Sequence, residues 1–153
     1  MIISVRSTIT VCLLAIGAVA AAAWAVSQPS VNVSRGQLAL GGYDAVAYFR
    51  GGRPVEGTAR FEYRWNGTVW RFSTAANRDA FAKEPGSYAP EFGGYCAYAV
   101  SRGYTADGDP NVWQIVDGRL YLNYSKRAQK LWEEDVPGNI AKGRRNWPAV
   151  LTM

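Results

Sequence analysis

The sequence predicts an α+β fold: a small single domain of two β-hairpins interleaved with short helices. Three observations predict it. Asn66-Gly67 and Asp117-Gly118 each separate two short runs of alternating apolar residues, and both dipeptides favour the tight turn whose two central residues need positive φ. Ser and Thr residues after each hairpin precede segments with helical apolar spacing. A chain of 153 residues, 48% apolar and 19% charged, suffices for one packed domain but not two.

The chain opens with "MIISVRSTITVCLLAIGAVAAAAWAVSQPS", in which Arg6 is the only charged residue. An early positive charge, an Ala-rich apolar run and Ala23-Trp24-Ala25 follow the layout of a secretory leader and its processing site. Residues 1–25 are therefore expected to be a signal peptide, or an N-terminal anchor if left uncut, and the mature chain periplasmic or secreted. A membrane enters only through an uncleaved leader. Cys12 lies inside the leader and is expected to leave with it. Residues 26–40 read as a polar tether and residues 41–150 as the domain proper, with a helical extension at its C-terminus.

Within the domain, Phe61, Tyr63 and Trp65 share one face of the first strand, and "TVWRFS" answers it across Asn66-Gly67. Ser73 or Thr74 caps a helix that ends before Pro85. The second hairpin takes its alternation from Trp113, Ile115, Leu120 and Leu122. Ser125 caps the next helix, where Ala128, Leu131 and Trp132 share a face, and Pro137-Gly138 end it. A last helix spans roughly residues 139–146.

Loss of Arg6 with the leader lowers the formal net charge from +5 to +4. The late basic residues, Lys126, Arg127, Lys130, Lys142, Arg144 and Arg145, read as solvated helix faces, and export excludes nucleic acid as a partner. "TADGDP" lacks the later ligands and closing Glu of a calcium loop and reads as a polar turn. Tyr88, Tyr95, Tyr98 and Tyr104 read as core residues with hydroxyls at the rim, with an aromatic ligand pocket as the alternative.

Cys96, in "GGYCAYAVSRG", is the one cysteine left after the leader, and the chain contains no histidine. A mature chain with one Cys forms no internal disulfide. Three roles are open to it. If the stretch is helical, Phe92, Gly93, Ala99 and Val100 lie on the same stripe, and Cys96 is a small buried hydrophobe. As a soft-metal ligand it needs partners, because Cu(I) takes two or three soft donors. These would come from a second Cys96 across a homodimer, or from Tyr95, Tyr98 or Asp44 in a mixed site. As a redox or nucleophilic thiol it needs a nearby cation such as Arg102, and no resolving Cys or His base exists.

The stretch "GYDAVAYF…FEYRWNGTVWRFSTAANRDAFAKEPGSYAP" resembles the YHS domain family. The resemblance is carried by Tyr43, Asp44, Tyr48 and Phe49; by Trp65, Gly67, Trp70 and Phe72; and by Phe81, Pro85 and Tyr88. It covers roughly residues 41–90, and the remainder looks like the extension of an exported bacterial branch. The resemblance implies a metal-associated binding module that handles copper or another soft ion through cysteines. At the positions where such relatives carry cysteine, this chain has Ala47, Ser73 and Asn77. The expectation is thus an exported binding module rather than an enzyme, with copper held by Cys96, Tyr98, Asp44 and Tyr43. A thiol-based redox sensor or small thiol enzyme is one alternative. A structural or interaction domain with an inert, buried cysteine is the other.

Overall fold

A computed structural model describes residues 29–34 and 37–152, so the leader and Cys12 lie outside the described residues. The fold is α+β, as the hairpin and capping signals predict. Strands β1 (Val33–Ser34), β2 (Leu38–Ala39), β3 (Thr58–Trp65) and β4 (Thr68–Phe72) form one sheet in the order β1-β2-β4-β3. Strands β5 (Asp109–Val116) and β6 (Arg119–Asn123) form a separate antiparallel pair. Helix α1 (Ala47–Gly51) precedes β3, while α2 (Ala75–Lys83) and α3 (Pro85–Tyr88) follow β4. Helix α4 (Ala97–Ser101) leads into β5, and α5 (Lys126–Glu133) and α6 (Val136–Asn146) complete the chain with a final 3-10 turn.

The turns form for local reasons. Asn66 and Gly67 have φ of 48° and 76°, and Asp117 and Gly118 have 49° and 71°, the left-handed pair that a two-residue hairpin loop requires. Thr74 caps α2, its hydroxyl accepting the Asn77 N–H at 3.1 Å, and Ser125 caps α5 through the Ala128 N–H at 3.2 Å. Pro137 does not end a helix. It lies in the first turn of α6, where a missing N–H costs nothing, and Asp135 accepts the Gly138 N–H at 2.9 Å. The last helix therefore begins at Val136, ahead of its expected start.

The expected tether is also partly built into the fold. Val31, Asn32 and Ala39 are buried, β1 pairs with β2, and β2 runs parallel to β4 through Leu38 and Val69. The short strands satisfy their backbone at the sheet edge, a reward that polar composition does not reveal.

Two clusters of side chains make the core. The first gathers Val46, Tyr48, Trp70, Phe72 and Phe81 between the four-stranded sheet and its helices. Phe81 is its centre, with ring centroids 4.8 Å from Trp70 and 5.1 Å from Phe72. The second gathers Phe92, Val100, Tyr121, Trp132 and Ile140 under α4, α5 and α6. Strand β6 serves both: Leu120 and Leu122 pack in the first cluster and Tyr121 in the second. Alternate side chains leave a strand on opposite faces, so this strand has no solvated face. Lys126, Arg127, Lys130, Arg144 and Arg145 are exposed, as solvated helix faces should be, whereas Lys142 is half-buried. Among the described residues, no helix is long and apolar enough to cross a membrane.

Candidate functional site

Cys96 does not lie within a helix. Phe92, Gly93 and Gly94 adopt positive φ of 53°, 62° and 84°, which breaks the chain ahead of it, and α4 starts one residue after it. Phe92 accepts that conformation because its ring seats against Gly143 of α6, where any Cβ would overlap the ring. Cys96 is tied down by its N–H, which donates to Ala106 O at 2.8 Å, and by a bridge to Leu122 of β6.

The thiol is 2% exposed, and its Sγ lies 3.6 Å from Asn123 Oδ1. The same oxygen accepts the Tyr98 N–H at 3.1 Å. An amide at the end of β6 thus takes the place of a local cap for α4, and the S–H donates to its second lone pair. Asn123 is wholly buried, and its Nδ2 has no partner. Tyr98 is half-buried against the second cluster.

Asp44 is built differently. It is 0% exposed, and both carboxylate oxygens are occupied. Oδ1 accepts from the N–H groups of Val46 at 2.9 Å and Ala47 at 3.2 Å. Oδ2 accepts from Ser73 N at 2.8 Å, Ser73 Oγ at 2.6 Å and Asn77 Nδ2 at 2.8 Å. Five donors offset the cost of burying this carboxylate. Ala47, Ser73 and Asn77 are the three positions at which the resemblance implies cysteine. The fold brings all three onto one carboxylate, by backbone for Ala47 and by side chain for Ser73 and Asn77. Their separation of up to thirty-odd residues along the chain hid this from sequence reasoning.

Tyr43 pairs with Glu56 through an isolated bridge. Tyr48 lies between the residues around it: its ring meets Trp113 edge-on at 5.2 Å, and its hydroxyl donates to Pro110 O at 2.9 Å. Burial, with Tyr43, Asp109 and Asp44 nearby, pushes this phenol far above its ordinary pKa, so it is a neutral donor. The four predicted ligands thus fall into two pairs. Cys96 and Tyr98 share Asn123, Asp44 adjoins Tyr43, and among the described residues no hydrogen bond or ion pair joins one pair to the other. Among the described residues, clefts of 240 to 320 Å³ are lined by other residues. Among the described residues, no three His, Cys, Asp or Glu side chains gather as a metal-holding group.

No family model, curated protein or solved structure matches this chain. The resemblance to the YHS family therefore rests on the motif residues given above. The remaining tyrosines are mainly packing groups: Tyr88 stands edge-on to Phe49 at 5.5 Å, and Tyr95 donates its hydroxyl to Pro29 O at 2.9 Å. Tyr104 is exposed.

Proposed function

We propose that this chain is an exported YHS-type structural or interaction domain in which a hydrogen-bonded carboxylate replaces the soft-ion site of the cysteine-bearing relatives, with Cys96 kept for packing. One observation carries the reading: Asp44 collects donors from Ala47, Ser73 and Asn77 together. A soft ion at these positions would meet a carboxylate whose lone pairs are in use, an aliphatic side chain, a hydroxyl and an amide. Cu(I) prefers none of them. Cys96 supports the same reading, because its sulfur is enclosed and donates to an amide oxygen. Free cysteine in such a place behaves as a small hydrophobe.

The competing reading keeps copper on Cys96, with Tyr98 beside it and Asp44 and Tyr43 recruited by rearrangement, or with a second subunit supplying the other thiol. The redox alternative needs an accessible thiol of raised reactivity. Competition titration with Cu(I) separates the proposals. Equal, weak uptake by wild type and Cys96→Ala is expected here. Uptake that is tight in wild type and lost in Cys96→Ala would overturn the reading and return the assignment to a soft-ion module.

A further inference from the structure

One stripe of α6 faces the second hairpin without closing on it. Val136, Ile140 and Arg144 fall four residues apart and share that stripe. Opposite them, Arg119 and Tyr121 leave β6 on one face, and Val116 of β5 pairs with Arg119. These residues line a cleft of about 300 Å³, at the lower end of the range usual for small-molecule sites, roughly 300–1,000 Å³. Tyr121 and Ile140 are buried beneath it, Val116 and Val136 are half-buried, and Arg144 is exposed. The cleft therefore has accessible apolar walls and a cation at one end.

The polar groups at that end are donors. Burial keeps the Tyr121 phenol neutral, and the Arg144 guanidinium is directed at its oxygen. A phenol oxygen that accepts still has its own proton to give. Among the described residues, no acceptor lies within hydrogen-bonding distance of that proton, and no carboxylate lies within ion-pair distance of Arg144. Buried donors rarely go without an acceptor. The other two charges lining the cleft do not meet this need. Arg119 is already engaged, donating to Gly86 O at 2.9 Å with its Nε 3.7 Å from Glu91. Asp117 is exposed in the hairpin turn, where water screens its charge. An unpaired guanidinium and a free hydroxyl proton thus meet at the end of an apolar slot.

We propose that this cleft binds a small apolar monocarboxylate, its two oxygens taken by Arg144 and the Tyr121 hydroxyl and its hydrocarbon body lying against Val116 and Val136. The site shares no residue with Cys96 or Asp44 and stands or falls separately from the reading above. The test is a ligand-observed NMR titration of the full chain with isocaproate, with its uncharged amide isocaproamide, and with acetate, at constant ionic strength. Isocaproate is expected to bind saturably, and about ten-fold or more tighter than the amide, which lacks the charge, or acetate, which lacks the body. Arg144→Gln is expected to weaken isocaproate about ten-fold while moving the amide little. Tyr121→Phe, which keeps the buried ring, is expected to weaken isocaproate several-fold. No saturable binding of isocaproate, binding no tighter than that of the amide or of acetate, or an isocaproate affinity unaffected by Arg144→Gln would each overturn the proposal. Thermal melts of both variants confirm that the fold is retained before affinities are compared.

Discussion

Ser73 gives both its backbone N–H and its hydroxyl to one oxygen of Asp44, at 2.8 and 2.6 Å. With Asn77 on the same oxygen and Val46 and Ala47 on the other, the carboxylate joins the start of α1 to the start of α2 across the end of β4. Asp44→Ala leaves four donors without their acceptor, since the Ala47 N–H keeps the Asp44 backbone oxygen at 3.2 Å. We expect a loss of more than about 3 kcal/mol, and about 2 kcal/mol for Ser73→Ala, which removes one charge-assisted bond. Urea denaturation measures both.

Phe81 anchors the first cluster, touching Trp70, Phe72, Tyr63 and Trp65 through ring contacts. Phe81→Ala opens a cavity that these neighbours cannot fill without leaving their rotamers. The expected loss is about 3–5 kcal/mol, read from chemical denaturation. Phe81→Leu, which keeps most of the volume, should lose markedly less.

Tyr48 makes the alkaline stability of the protein predictable in sign. Its pKa is raised from an ordinary value of 10.0, first by burial and then by Tyr43, Asp109 and Asp44. The folded state therefore holds this proton more tightly than the unfolded chain does. Its contribution to stability is complete below pH 10 and declines as pH rises above it, by up to about 1.4 kcal/mol per pH unit for one proton. Tyr95 and Tyr121 are raised in the same direction, chiefly by burial, and add to the slope. Denaturant midpoints between pH 8 and about 11 should fall in wild type and fall less steeply in Tyr48→Phe.

The features legible in the sequence are those decided within a few residues. Asn66-Gly67 and Asp117-Gly118 fix their turns by backbone sterics alone, and Thr74 and Ser125 cap their helices through N–H groups three positions on. The features that were hidden depend on distant partners. Phe92 takes a positive φ because its ring fits against Gly143, which places Cys96 before α4 rather than on its apolar face. Asn123, which binds both the Cys96 thiol and the Tyr98 N–H, comes from a strand 27 residues away from the cysteine. The tether composition of residues 26–40 concealed two short strands whose stability comes from β4. At the candidate site, Cys96, Tyr98, Asp44 and Tyr43 were singled out by residue type. Only the folded chain shows that Ser73 and Asn77 complete the carboxylate's shell.

The fold encloses the Cys96 sulfur, and thiol labelling as a function of urea tests this most directly. In native buffer the thiol should react slowly with a disulfide reagent. Its labelling rate should climb with urea at the slope of the global unfolding transition, because only the opened chain exposes the sulfur. Rapid labelling without denaturant, insensitive to urea below the unfolding transition, would show a thiol open to ligands and would contradict the account.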